Sequence, residues 1–509
     1  MLINFYFFAD SLEWESNMMK IDISPHRSLS NRMIHAVERG NLQEVKEITE
    51  KHGLSHCPDW LDGCYLLRNA LDYDRRDVAR FLIEAGAKLS NTEKDISILH
   101  NAVALNAGRY FPIVTQLLRK GVSVNSRTKS GDTPLHCVKY VKSARVLLLA
   151  KPPPDVNATN NSGFTPLHMA AMYGNTRLIR LLLDEGAEVN KRASGSKEDH
   201  GVTPLHLAAK AYAKSGDVCA ALLARGADIN ARNSAGETAL HIVVLRRRVA
   251  SCLVAALSAR PDVDIDARDA QGNTALARVA ARFYVVPLST LLSYGADVNI
   301  TNEAGLTPVQ IVEDYREKYS SQPSFRRFPY DRVLRVSMTL RSHVAKLSCA
   351  GLPVSEDNLI ACKCTKYVGE EMRAHEIRYA TETLDDPDFV KRCTDEVVRM
   401  KSERIGNSCV SYYDILSRSI RQVATYSRND SISQVMDHQD STKKFAVYGL
   451  WIDVRYHRAK KRAQLQQRAV ASLNAVIGFL PLICIDLIVD FLSIEDLKKC
   501  ANGSPELDD

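Results

Sequence analysis

Five histidines, His100, His136, His168, His206 and His241, follow one another at intervals of 32 to 38 residues. Imidazole can shuttle a proton near neutral pH or hold a transition metal. The spacing opposes both uses here: one histidine per interval places the five along a stack and not around a point. Each is expected to be a buried turn residue that bonds the neighbouring loop. Cysteine offers no better centre. The twelve cysteines are scattered, with no CxxC pair, which argues against a paired-cysteine zinc site or a disulfide scaffold. Cys362 and Cys364 read as two side chains on one side of a short segment. No Gly-x-Ser-x-Gly, P-loop or His-Glu-x-x-His motif is present, so the expectation is no enzyme activity, no cofactor and no metal.

The residues around those histidines set the fold. Gly131-Asp-Thr-Pro-Leu-His136, Gly163-Phe-Thr-Pro-Leu-His168, Gly201-Val-Thr-Pro-Leu-His206, Gly236-Glu-Thr-Ala-Leu-His241, Gly272-Asn-Thr-Ala-Leu-Ala277 and Gly305-Leu-Thr-Pro-Val-Gln310 form a series. Gly186-Ala-Glu-Val-Asn190, Gly226-Ala-Asp-Ile-Asn230 and Gly295-Ala-Asp-Val-Asn299 fall between them. In one such unit Thr165 is a good N-cap, and Pro166 suits the first helical position, where a missing donor costs nothing. Leu167, Ala170 and Ala171 make a buried stripe, with alanines small enough for neighbouring helices to approach. After a turn at Gly174-Asn175, Leu178 to Leu183 supply a second amphipathic helix that Gly186 ends. The series predicts an all-α solenoid of helix pairs. A single pair cannot bury its apolar face, so stability must come from stacking.

These motifs resemble the ankyrin repeat. Worn copies extend the series toward the N-terminus through Ser97-Ile-Leu-His100, Gly121-Val-Ser-Val-Asn125, Gly86-Ala-Lys-Leu-Ser90 and Met33-Ile-His35. The reading is about nine units over residues 29–316, after an N-terminal extension at 1–28. That extension opens apolar, but it lacks a basic region and meets Asp10 and Glu13 too early for a secretory signal. The chain as a whole is 45% hydrophobic and 25% charged with a formal charge of +7. This is ordinary globular composition, and too little charge for a protein whose main task is neutralising nucleic-acid phosphates.

The resemblance implies binding through finger tips and the exposed side of the first helices. The residues that the repeat pattern leaves free there are Met169, Met172, Tyr173, Lys210 and Tyr212, followed by Arg246, Arg247 and Arg248. The three arginines read either as a solvated helix face or as a patch for an acidic surface. The insertion at Arg192 to His200 is either part of the binding face or a tolerated loop.

Beyond the repeats, residues 317–408 read as a linker, marked by Ser320 to Pro329, and then a helical region with helices around Val333 to Val344 and Phe389 to Ile405. Residues 409–509 form a last domain. Within it the basic stretch Arg455 to Arg468 has helical spacing and reads as an exposed face, with a nuclear signal or nucleic-acid patch as the alternative. The segment Ile477 to Leu492 opens with a proline, then sets apolar residues on almost every side except Asp486 and Asp490. Ser493-Ile-Glu-Asp496 makes a capping-box pattern before Leu497. Taken as a membrane anchor, the segment would have to insert the two aspartates at about 5–7 kcal/mol together, so no membrane association is expected.

The Leu-Pro start, apolar helix and Leu-Ser-x-x-Asp-Leu ending resemble an F-box. With the repeats before it, the chain is similar to poxvirus ankyrin proteins with a C-terminal PRANC domain. That family implies a substrate adaptor: repeats capture a host protein, and the F-box-like segment docks on the Skp-type subunit of a host cullin-RING ubiquitin ligase. Leu480, Pro481, Ile485, Ile488, Leu492 and Leu497 would be the docking or supporting positions. Two departures from cellular F-boxes are Ile483, where an acidic residue is common, and the lack of a third helix. The expected location is the host cytoplasm, with the nucleus also open, and the expected effect is on host innate signalling. The competing reading is a scaffold that sequesters a host signalling or transcription factor without any ligase.

Overall fold

The computed structural model describes residues 25–52, 63–87, 89, 98–105, 110–195, 200–211, 215–246, 250–258, 260, 262–320, 330–363 and 386–476, with positions 489, 492 and 497. Residues 1–24 of the expected N-terminal extension, and Cys364, lie outside these. Two compact units divide the chain, Met1–Ala170 with Asn175–Glu188, and Ala171–Gly174 with Val189–Asp509. Among the described residues every regular element is a helix, and extended pairing is limited to two isolated bridges, Arg268 with Thr274 and Arg404 with Ser411.

The first unit is built from successive helix pairs. These are α1 (Pro25–Arg39) with α2 (Leu42–His52), α3 (Gly63–Asp72) with α4 (Arg76–Glu84), and α5 (Ile98–Ala104) with α6 (Phe111–Arg119). Next come α7 (Pro134–Cys137) with α8 (Val141–Leu148), and α9 (Pro166–Met172) with α10 (Thr176–Asp184). The local causes are those the residues predict. Asn175 caps α10 by accepting from the Leu178 N–H at 3.2 Å, and Leu178, Ile179 and Leu182 are buried while Arg177 and Arg180 face water. Leu167, Ala170 and Ala171 are buried.

The second unit continues with α11 (Pro204–Lys210) and α12 (Ser215–Ala224), α13 (Ala239–Val243) and α14 (Ala250–Ser258), and α15 (Ala275–Ala281) and α16 (Val285–Ser293). α17 (Pro308–Ser320) runs a turn past residue 316, where the repeats were expected to stop. It packs on α15 of the preceding repeat and, on the far side of the array, on α18 (Tyr330–Cys349) and α19 (Glu356–Lys363). Finger asparagines show why the stack accepts them. Asn230 donates to the Asp262 carbonyl at 2.8 Å and accepts from the Asp264 N–H at 2.7 Å. Asn299 does the same two repeats later with the Pro353 carbonyl (3.1 Å) and the Ser355 N–H (2.8 Å). Residues 353–358 therefore stand where the next finger would. Behind them Glu313 of α17 binds Arg341 of α18 and Arg316 at 3.1 and 2.7 Å, all three largely buried. Arg341 also donates to the Cys362 carbonyl at 2.9 Å.

The C-terminal helices α20 (Pro387–Ser402), α21 (Tyr412–Ser417), α22 (Ile420–Tyr426), α23 (Asp430–His438) and α24 (Ser441–Lys444) surround the start of α25 (Gly449–Val476). Five side chains, Asp386, Ser411, Ser419, Asn429 and Asp440, accept from N–H groups in the first turns of α20 to α24. Such caps satisfy donors that a short helix cannot pair internally. Phe389, Cys393, Met400, Tyr412, Phe445, Tyr448 and Tyr456 share one buried core. Glu396 reaches from α20 to accept the Val447 and Tyr448 N–H groups, both at 2.9 Å, just before α25 begins.

The basic stretch in α25 is not an exposed face. Arg462 is buried, and Arg455 and Arg458 are half-buried. Arg455 donates to the Ile415 carbonyl at 3.1 Å, and Arg458 to the Ser258 carbonyl at the end of α14 at 3.1 Å. Helical spacing was legible, but which side the neighbouring helices would cover was not. These arginines meet carbonyls at helix ends, where partial negative charge collects.

Candidate protein-interaction site

Four of the five recurrent histidines, His136, His168, His206 and His241, prove to be capping groups. In α7, α11 and α13 the N-cap is Thr133, Thr203 or Thr238, and the matching histidine stands three residues later. The Thr203 N–H donates to His206 Nδ1 at 3.1 Å, and His206 Nε2 lies 3.0 Å from the Glu237 carbonyl of the next repeat. His136 and His241 repeat the pattern onto the Phe164 and Asn273 carbonyls at 2.9 and 3.1 Å. An Nδ1 that accepts from a backbone N–H leaves the proton on Nε2, so the ring is neutral and both nitrogens are in use. Burial pushes the pKa of all three below the usual range. Among the described residues no cluster of histidine, cysteine or carboxylate side chains could hold a metal.

Beside His206 the second unit carries a hollow of about 230 Å³, bounded by Leu207, Lys210, Ile242, Leu245, Glu237 and Arg278. Lys210 is exposed at this hollow. Arg278 bridges Glu237 at 2.5 Å and Asp269 at 2.7 Å. Burial pushes the Glu237 carboxyl up, but hydrogen bonds from Asn233 and Arg278, with the Arg278 charge, outweigh it and hold the group below its usual range. The hollow thus combines an apolar wall, a locked ion network and one exposed ammonium, which suits part of a folded protein surface better than a reacting substrate.

The other expected contact residues are dispersed. Met169 and Met172 are half-buried on α9, and Tyr173 just beyond is exposed. Arg246 donates to the Ala209 carbonyl at 3.1 Å and to that of Ala211, so its guanidinium joins two repeats. Tyr212, Arg247 and Arg248 lie outside the described residues. The insertion is closed at its base, where the Ala193 N–H donates to Val202 and the Gly201 N–H to Ala193, each at 2.8 Å.

At the C-terminal end Leu497 is buried, and together with Val489 and Leu492 it packs on Leu465 and Ala469 of α25. Arg462 donates to the Leu492 carbonyl at 2.8 Å. Leu480, Pro481, Ile485 and Ile488 lie outside the described residues. No described helix is long and apolar enough to cross a membrane.

Two sets of working residues escaped the sequence reading. Arg127 bonds the Thr159 carbonyl at 2.7 Å in the first unit. In the second, Arg192 and Arg268 bond the carbonyls of Arg232 and Thr301 at 3.0 and 2.8 Å, and Arg232 bonds that of Arg268. The signal was present as an arginine two residues after Asn125, Asn190, Asn230 and Asp266 of the fingers. Asn358, fully buried and bonded to Thr307 and Val298, carried no such signal.

Comparison with known proteins bears on this geometry. A family model for ankyrin repeats (3 copies) matches residues 99–193, 137–233 and 205–302. The human ankyrin repeat and SOCS box protein 16 is 30% identical over 328 residues, 57% of this chain and 62% of that protein. The ankyrin repeat protein FPV014 of fowlpox virus (strain NVSL) is 31% identical over 172 residues, 32% of this chain and 37% of that protein. The chain thus spans less than two thirds of either relative. Among solved structures, the ankyrin repeat domains of human ASB11 and of Bcl-3 align with TM-scores of 0.36 each, at 24% and 26% identity. They cover 42% and 43% of this chain and 91% and 95% of theirs. Residues 99–302 carry ankyrin repeats, a fold used for protein–protein interaction, and among the described residues every regular element is a helix.

Proposed function

We propose, from a chain whose ankyrin repeats bind protein partners, that this is a viral substrate adaptor. The repeats capture a host protein, and the C-terminal F-box-like segment recruits a Skp-type subunit and its cullin-RING ubiquitin ligase. The site of action is the host cytoplasm, with the nucleus also open, and the outcome is altered host innate signalling. The observation that carries this reading is the packing of Leu492 and Leu497 onto α25, in a helical domain that is joined to the last repeat through Asn299 and Glu313. An adaptor needs its two binding ends held by one scaffold, and that junction supplies one. The names of the relatives point the same way: one pairs ankyrin repeats with a SOCS box, and the other is a poxvirus ankyrin protein.

Within this reading Leu492 and Leu497 are supports, and Leu480, Pro481, Ile485 and Ile488 make the contact with the ligase. A pull-down from cell lysate with the native chain and with the double variant Leu480→Ala, Ile485→Ala tests it. Skp-type adaptor and cullin recovered by the native chain and lost with the variant is the expected result. Recovery by neither, from well-folded protein, would leave a sequestering scaffold in its place.

A further inference from the structure

The formal charge of +7 is not spread evenly along the chain. Residues 119–183 hold ten lysines and arginines against two aspartates, while the remaining residues are nearly balanced. This stretch supplies the end of α6, all of α8 and most of α10, and in the first unit α6 packs on α8 and α8 on α10. Asn175 Nδ2 donates to the Lys139 carbonyl at 2.7 Å, which sets the start of α8 beside the start of α10.

The apolar stripes of these helices face the stack: Ala144 and Leu147 of α8, and Leu178, Ile179 and Leu182 of α10, are buried. Their other sides are basic. Lys142 and Arg145 on α8, and Arg177 and Arg180 on α10, are exposed, with Lys139 just before α8. Residues three apart share a helix face, so each pair points one way. None of the five is in an ion pair with a described carboxylate. The aspartates of the stretch are engaged locally. Asp132 accepts from the Ser130 and Asn160 side chains at 2.6 and 2.7 Å, and Asp155 from the Asn157 N–H at 2.9 Å. Asp184 and Glu185 come only at the C-terminal end of α10. At the C-terminal end of α8, Leu149 is 81% exposed.

We propose that the outward face of α8 and α10 binds an acidic segment of a partner protein, its carboxylates paired with Lys142, Arg145, Arg177 and Arg180 and an apolar side chain of the segment set on Leu149. Charge complementarity calls for an anion, and the arginine forks match carboxylate oxygens two at a time. Neither α8 nor α10 carries an aromatic residue on which a nucleic-acid base could stack, and a phosphate backbone has no use for Leu149. A bilayer holds a helix by a broad apolar face, whereas those of α8 and α10 are buried in the stack. The surface concerns what the repeats capture and does not rest on the ligase segment. A chain that binds an acidic peptide but recovers no Skp-type adaptor loses only the ligase reading.

Fluorescence anisotropy of the full chain with the labelled peptide Glu-Asp-Glu-Asp-Gly-Leu, and with a twin carrying Gln and Asn in place of Glu and Asp, tests the proposal. The acidic peptide should bind about tenfold tighter than its twin, and added salt should shrink the difference. Arg145→Glu with Arg177→Glu should weaken the acidic peptide about tenfold and gain binding of Lys-Arg-Lys-Arg-Gly-Leu, a gain that misfolding would not give. Arg421→Glu with Lys443→Glu, exposed in the second unit and equal in charge, should change binding less than about twofold. Leu149→Ser should weaken the acidic peptide and leave its salt dependence in place. Equal binding of the two peptides by the native chain, or equal loss in the two charge-reversed pairs, overturns the proposal. Tighter binding of a thymidine oligonucleotide of equal charge, or of mixed phosphatidylcholine and phosphatidylserine vesicles, gives the face to nucleic acid or lipid and overturns it as well.

Discussion

The Ser355 N–H donates to Asn299 Oδ1 at 2.8 Å, repeating beyond the last repeat the bond that the Asp264 N–H makes to Asn230 Oδ1 at 2.7 Å. The C-terminal helices therefore continue the repeat's own hydrogen-bond grammar. Glu313 reinforces the junction from within, with Arg341 on one side and Arg316 on the other.

Glu313→Ala should accordingly destabilise the second unit by about 3–5 kcal/mol, because it leaves buried guanidinium charge uncompensated. The double change Glu313→Leu with Arg341→Met should recover much of that loss. Urea unfolding of the single and double variants measures both, and a single variant within about 0.5 kcal/mol of the native chain would remove Glu313 from the junction.

Leu167 is fully buried and Leu149 is 81% exposed. Leu167→Ala should cost about 2–5 kcal/mol, and Leu149→Ala should stay within about 0.5 kcal/mol. Denaturation midpoints compare the two directly.

Glycine has two separate uses here. Gly226 and Gly236 both have positive φ, at 84° and 72°. A Cβ at Gly226 would meet nothing within 4 Å, whereas at Gly236 it would come within 2.7 Å of the Ala270 N in the next repeat. Gly226→Ala should cost about 1–2 kcal/mol from backbone conformation alone. Gly236→Ala should cost clearly more, since it also pushes apart the repeats joined by the Ala270 N–H to Ala235 carbonyl bond at 2.9 Å. Equal thermal shifts in the two variants would contradict this.

Acid should weaken the fold from just below neutrality. Burial lowers the pKa of His136, His206, His241 and His343 from 6.5. The unfolded chain then binds protons that the folded chain refuses, so the stability they contribute is complete above about pH 6.5 and is lost as pH falls toward the folded pKa values. Asp266, raised by burial to about 6, works in the opposite direction, since its protonation on acidification relieves a buried charge. Asp72 and Asp453, also raised by burial, act in the same sense as Asp266, and the four histidines outnumber the three carboxyls, which predicts a net fall in the urea midpoint between pH 7 and pH 5. His206→Gln should reduce that slope.

The sequence by itself determined the repeat. Caps, prolines, alanine stripes and finger asparagines act through local geometry and recur at a fixed period, so their partners are known once the period is known. The histidines were legible as structural for the same reason. The tertiary structure decided what lies at a distance that no period predicts: that α18 and α19 close the stack, that Arg246, Arg455 and Arg458 spend their charge on carbonyls, and that the His343 ring lies against that of Trp451. An arginine's pattern on a helix shows which residues share a face, but only packing decides whether that face meets water, a helix end or a partner. Leu492 and Leu497 make the same point, because their apolar character was plain in the chain while their burial against α25 depends on a helix that begins more than forty residues earlier.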